Sequence, residues 1–142
     1  TTAAEEVTPD SFIAAVAAAF GNAAIGPDWY ASIASAPGFH LEWLIQVRAP
    51  GGNCAAFAKI SIDAGNHAAE IDPVGTHPAY QRMGLARALL LESFRRLRLA
   101  GIQQAWIGSA PAPAPANLLY DQLKPALRYD VVAWQKQFPA SA

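Results

Sequence analysis

Charge is scarce in this chain: Asp, Glu, Lys and Arg make up 15% of its 142 residues, against 53% hydrophobic ones. A chain that apolar buries enough surface to offset its ordering entropy, so intrinsic disorder is excluded. Neither sign dominates, and the formal net charge is -1. That balance supplies no electrostatic case for nucleic acid as a partner. The one cysteine, Cys54, cannot close an internal disulfide, which points to a reducing compartment and a cytoplasmic location. Long hydrophobic runs are missing too. The longest, Phe12 to Phe20, is too short to span a bilayer, and Glu5, Glu6 and Asp10 precede it where a secretory leader would be basic. No membrane association is expected. His40, His67 and Cys54 share no metal-ligand spacing with one another or with an acid, so no metal is expected either. The chain begins at Thr1 and not at methionine, as a processed product or a piece of a longer protein would.

What is present suits one domain, residues 1–142, with a substantial core. Thr8-Pro9-Asp10-Ser11 reads as a helix start: Thr8 caps, Pro9 takes the first helical position and Asp10 suits the dipole. Phe12, Val16 and Phe20 then fall on one face until Gly21-Asn22. A short second helix is expected from Pro27 or Asp28 to about Ser35. From Leu41 the pattern turns to strands at Leu41 to Val47, Cys54 to Ile62 and His67 to Thr76, joined by turns at Ala49 to Asn53 and Asp63 to Asn66. Cys54 fits a small core residue better than a nucleophile, because nothing near it in sequence would activate it.

The third of these strands runs into the stretch around which the chain is organised. Alternation puts Glu70, Asp72 and Val74 on one face, unless a bulge shifts the register, and Pro73 implies a break in pairing because it cannot donate to a ladder. His77-Pro78 turns the chain into Gln81-Arg82-Met83-Gly84-Leu85-Ala86, which opens a helix running to Ala100 with Ala86, Leu90, Phe94 and Leu97 on one side. The first amides of a helix lack intrahelical acceptors and lie at the positive end of its dipole. A loop that feeds them, with Gly84 permitting close approach and Arg82 and Arg87 adding charge, makes a pyrophosphate cradle. Arg95, Arg96 and Arg98 suit the helix's negative end and form an exposed face. Ile102 to Gly108 reads as a further, buried strand. Ala110 to Ala116 alternates alanine with proline and reads as a rigid loop inside the domain, since too little chain follows it for a second core. A short helix from Ala116 to Leu123 stops at Lys124-Pro125. Leu127 to Phe138 completes the pattern as one or two last strands, with Val131, Val132 and Trp134 in the core.

The stretch Gln81 to Ala86 matches the Gln/Arg-x-x-Gly-x-Gly/Ala signature and resembles that of the GNAT superfamily of N-acetyltransferases, which hold the pyrophosphate of acetyl-coenzyme A on this loop. Glu70 to Leu91 looks like that fold's fourth strand and third helix. The resemblance implies an α+β fold in which about four helices flank a mostly antiparallel, splayed sheet of about six or seven strands. It implies acetyl transfer from coenzyme A to a primary amine, on a small molecule or a peptide, by direct attack in a ternary complex. A homodimer is compatible with it. In such proteins the fourth and fifth strands part and the pantetheine arm enters between them. By resemblance, the coenzyme contacts are Val74, Gly75 and Thr76, then Gln81, Arg82, Met83, Gly84, Leu85, Ala86 and Arg87, and also Asn117, with the Val74 N–H polarising the thioester carbonyl.

The amine must lose a proton before it can attack, and a carboxylate facing the pocket can take it. Glu70 stands where several relatives carry this base, with Asp72 as runner-up; both are otherwise solvated strand residues. Ala116, Leu119 and Tyr120 keep register with the family's Asn-x-x-Ala-x-x-Leu-Tyr, so Tyr120 falls where a tyrosine protonates the departing thiolate. Asp28, Trp29 and Tyr30 lie where the family's acceptor pocket is bordered, packing on the core being the competing role of the two aromatics. Two departures, Pro113 at the usual Asn and Lys124-Pro125 at the usual Gly-Phe, support an alternative: a catalytically weak or inactive GNAT-like domain, or half of a tandem protein. The acceptor itself has no signature in the chain.

Overall fold

In a computed structural model, which describes residues 8–109 and 115–141, helix α1 (Pro9–Phe20) starts as its sequence dictates. The Ser11 N–H donates to Thr8 Oγ1 at 3.4 Å, Pro9 takes the first turn, and Gly21 closes the helix in the left-handed region at φ 60°. Helix α2 (Pro27–Ala34) follows. Leu41–Trp43 forms a 3₁₀ turn, so strand β1 is shorter than the pattern suggested, Leu44–Arg48. Strands β2 (Cys54–Asp63) and β3 (Ala68–Thr76) succeed it. The Ala49–Asn53 turn is held by Ala49 N–H to Asn53 O at 2.8 Å. At the next turn Asp63 accepts both the backbone N–H and the side-chain amide of Asn66, at 3.2 and 2.7 Å. Helix α3 is Leu85–Leu99 and strand β4 is Gln104–Trp106.

The four strands stand in the order β1-β2-β3-β4. The first two pairings are antiparallel and the last is parallel. Register decides which helix covers which face. Phe57 on β2 meets Phe12 edge-on at 5.6 Å, so its face belongs to α1, and Leu44, Cys54, Ala15 and Val16 complete that cluster. Ser11 Oγ accepts the Cys54 N–H at 2.7 Å and ties the helix to the strand. Ile60 and Ile71 pair on the opposite face, which α3 covers with Leu89, Leu90 and Leu97. Leu90 is fully buried as expected, whereas Ala86 and Phe94 are half-buried. Buried Ser93 keeps its hydroxyl satisfied on Leu89 O at 2.8 Å. Phe20 departs from expectation: at the helix's last turn it is 53% exposed.

Two compact units emerge, residues 1–108 and 109–142. The second contains helix α4 (Pro115–Gln122), to which the flanking chain bonds on both sides: Ser109 Oγ donates to Asn117 Oδ1 at 2.5 Å and Arg128 reaches Asp121 at 3.4 Å. Three expectations are corrected. The described residues hold four strands and not six or seven. Strand β4 is exposed throughout, Trp106 included, unlike the other edge strand, β1, whose Leu44 and Ile45 are buried. Leu127 to Phe138 forms no strand: Val131, Val132 and Trp134 are 86, 69 and 94% exposed, having gained no ladder partner to bury them. Thr1 to Val7 and most of the Ala110 to Ala116 stretch, Pro113 included, lie outside the described residues. Among the described residues no helix is long and apolar enough to cross a membrane.

Candidate active site

The centre of the first unit is a place where the sheet comes apart. Ala68, Ala69 and Glu70 pair with Gln104, Ala105 and Trp106, and the β3–β4 ladder ends there. Strand β3 continues to Thr76 against β2 alone, which leaves one edge of its backbone facing a gap. The break in register falls at the proline, as its missing N–H requires. Between the pairs Ala58 with Val74 and Ile60 with Ile71, β2 has one residue, Lys59, and β3 has two, Asp72 and Pro73. This bulge moves Val74 onto the face of Ile71, away from Glu70, which corrects the simple alternation that grouped Glu70, Asp72 and Val74.

The direction of the free amides follows from one bond. His77 N–H donates to Ala55 O at 2.8 Å, so His77 and Ala55 form a hydrogen-bonded antiparallel pair. Pairs alternate along such a ladder, and the pair Thr76 with Ala56 and the pair Val74 with Ala58 are therefore of the other kind, whose N–H and C=O groups point away from β2. Val74 and Thr76 thus present their backbone to the gap. Between them Gly75 sits where a Cβ would lie 2.5 Å from Phe57 Cζ and 3.2 Å from Ala19 Cβ. Only glycine fits there.

Beyond Thr76 the chain turns at Pro78–Tyr80 and enters the loop from Gln81 to Ala86. Arg82 and Gly84 both take left-handed backbone, at φ 63 and 74°. Left-handed residues alternating with ordinary ones turn successive amides toward a common point, the geometry of an anion nest. For Arg82 that conformation costs about 1 kcal/mol, as it does for any L-residue. Its appearance beside Gly84 is a signal that the residue types did not carry. Gly84 caps α3 without a side chain, and nothing lies within 4 Å of the Cβ it lacks. Gln81, Arg82, Met83 and Arg87 are exposed around this opening, and Leu85 and Ala86 are half-buried. The cradle is open and positively charged, which fits a diphosphate.

On the α1 face, past Phe57, the pairing of Ser61 with Glu70 brings together an exposed carboxylate and a hydroxyl that accepts from Lys59 Nζ at 3.0 Å. Asp72 is exposed at the bulge opposite Lys59. Gln46, paired with Phe57 on this face, buries its Oε1 with no partner among the described residues, and sequence reasoning had not singled it out. Trp29 and Tyr30 each pack on Phe12 at 6.0 Å, whereas Asp28 is exposed. Burial pushes the Cys54 thiol up to about 12, so it is no nucleophile. Half-buried Tyr120 and Asn117 both lie on α4 in the second unit. No group of three His, Cys, Asp or Glu side chains among the described residues could hold a metal ion.

Comparison with known proteins adds three likenesses of fold. The ribosomal-protein-S18-alanine N-acetyltransferase of Escherichia coli superposes with a TM-score of 0.63 at 24% identity, over 80% of this chain and 68% of that one. An aminoglycoside acetyltransferase from an uncultured soil metagenomic sample, in complex with sisomicin, gives 0.72 at 12% identity over 91 and 87%. An aminoglycoside N-acetyltransferase carrying a coenzyme A bisubstrate analogue gives 0.67 at 16% identity over 90% of each chain. No curated protein sequence matches the chain. A model of the acetyltransferase (GNAT) family matches residues 15–123.

Proposed function

Because this chain belongs to the GNAT family of acetyltransferases, we propose that it moves an acetyl group from coenzyme A to a primary amine by direct attack with both substrates bound. One observation carries the proposal: β3 loses its β4 partner just past Glu70, and the freed edge leads into a left-handed glycine cap. The family match runs from residue 15 to 123, across both units, which supports treating 1–142 as one domain.

Acetyl-coenzyme A supplies the acetyl group as a thioester. The amides from Gly84 to Arg87, with the guanidinium groups of Arg82 and Arg87, hold its pyrophosphate, and Gln81, Met83, Leu85 and Ala86 line that turn. The backbone of Val74 and Thr76, kept accessible by Gly75, binds the pantetheine arm, and Asn117 is assigned to the same coenzyme. Glu70 takes the proton from the acceptor ammonium, and Asp72 is the alternative base. The Val74 N–H donates to the carbonyl oxygen as negative charge develops there. Tyr120 passes its phenolic proton to the departing sulfur. Asp28, Glu70 and Asp72 make the acceptor side acidic on balance, which suits an acceptor that arrives as a cation.

The test is a screen of polyamines, amino acids, aminoglycosides and peptides with acetyl-coenzyme A, following thiol release. Turnover with at least one amine is expected. Binding of the coenzyme without turnover on any acceptor favours the second reading, a GNAT-like domain that has lost activity or is half of a tandem protein. Lys124-Pro125 in place of Gly-Phe and the exposed segment after it motivate that reading.

A further inference from the structure

The residue that connects the freed edge of β3 to the cradle has a side chain none of these roles uses. His77 Nδ1 accepts the Ala79 N–H at 3.0 Å, which caps the 3₁₀ turn Pro78–Tyr80. The same residue donates its own N–H to Ala55 O at 2.8 Å and accepts the Tyr80 N–H on its carbonyl at 2.9 Å, and its ring stands edge-on to Tyr80 at 5.7 Å. One residue therefore fixes the chain to β2 behind it and fixes the turn ahead of it. Gln81, the first residue of the cradle, follows that turn directly.

We propose that His77 is a positioning residue for coenzyme binding: its imidazole, by accepting from Ala79, sets where the loop from Gln81 to Ala86 starts and so aims the cradle's amides. The reasoning is one of leverage. Arg82 and Gly84 must both stay left-handed for the amides to converge, and Arg82 has no intrinsic preference for that region. Its conformation must be imposed by the segment that feeds it, and the His77 cap is the side-chain bond that orders this segment. Asparagine places an oxygen at the same reach for an N–H two residues on, as in an Asx turn, whereas leucine fills similar space without an acceptor.

The inference rests on the cradle being the coenzyme site, and its test separates the two. Coenzyme A binding is measured by calorimetry for the wild type, His77→Asn and His77→Leu, alongside amide hydrogen exchange at Ala79. Weakening of about tenfold is expected for His77→Leu, with recovery to within about threefold for His77→Asn. With a turned-over acceptor, the loss falls on KM for the coenzyme more than on kcat. Ala79 exchange should speed up in His77→Leu and slow again in His77→Asn. Unchanged affinity in His77→Leu, or equal loss in both variants, overturns the proposal. If the wild type fails to bind coenzyme A, the functional reading falls; the exchange pattern then decides separately whether His77 orders this turn.

Discussion

Glu70 stands opposite Trp106 at the last rung of the parallel β3–β4 ladder, and Ile71, the next residue, has no rung on that side. The proposed base therefore lies where the sheet parts. Its side chain is on the α1 face beside Ser61, while the backbone turned into the gap belongs to Val74 and Thr76 beyond the bulge. In the proposed reaction, acceptor and thioester would thus approach one strand from different directions.

That placement distinguishes the two carboxylates. Glu70→Gln should lower kcat/KM by about a hundredfold near neutral pH, whereas Asp72→Asn should cost less than tenfold. The deficit in Glu70→Gln should shrink as pH rises toward the amine's own pKa near ~10, where the acceptor is already free base. Rate profiles of both variants against pH check this, and a deficit that is flat with pH would remove Glu70 from the role.

At the cradle, the absence of any atom within 4 Å of the missing Gly84 Cβ means that a side chain fits without a clash. Gly84→Glu should therefore fold, at a backbone cost of about 1 kcal/mol from its positive φ. It should nevertheless abolish the rise in melting temperature that acetyl-coenzyme A gives the wild type, because it puts negative charge where the pyrophosphate sits. A preserved rise would overturn the pyrophosphate assignment.

Tyr120→Phe isolates the proton donor, since it removes one oxygen and keeps the ring. A fall in kcat of about tenfold or more is expected, with coenzyme affinity within about twofold of wild type. Equal losses in both would make the tyrosine a packing residue of α4.

Cys54 gives a pH prediction with a definite sign. The folded protein holds its thiol up to about 12 by burial, while an unfolded chain ionises it near ~8.5. The unfolded state sheds its proton first, so this contribution to stability is whole below about pH 8.5 and is lost as pH climbs through the folded value. Cys54→Ala should show a shallower loss of melting temperature between about pH 9 and 11 than wild type. Labelling by a thiol reagent at pH 8 should track unfolding; fast labelling of the native protein would contradict the burial.

How much of this was legible beforehand depends on whether the cause was local. The Thr8 cap, Pro9, the Gly21 stop and the whole of α3 follow from residues within a turn of one another, and the glycine turn at Gly84 that opens α3 is legible for the same reason. Pro73 announced a break in pairing, but the bulge's effect on Val74 needed the register with β2. Trp134 and Val131 were misplaced because a strand's burial depends on a partner, and alternating apolar residues name no partner. The left-handed Arg82 was invisible because arginine has no preference for that region. Gln46 was passed over because a polar residue in a strand is ordinarily solvated, and only the packed structure shows its Oε1 shut in.

Gly75 carries the last prediction, because its contact joins the core to the coenzyme edge. A methyl group there would lie 2.5 Å from Phe57 Cζ, and Phe57 cannot yield easily: it is fully buried and meets Phe12 at 5.6 Å. Gly75→Ala must move either the ring or the strand, at a cost of about 1 to 3 kcal/mol. If the strand moves, the amides of Val74 and Thr76 move with it, so coenzyme affinity should fall together with stability. Phe57→Leu withdraws the obstructing atom at a cavity cost of its own. The double variant should then be more stable than the sum of the single effects by about 1 kcal/mol, and it should regain coenzyme affinity relative to Gly75→Ala. Denaturant melts of the four proteins measure the coupling, and titration with coenzyme A measures the recovery. Additive stabilities would mean that the backbone and not the ring absorbs the methyl group; coupling without recovered affinity would mean that the freed edge of β3 does not bind the coenzyme.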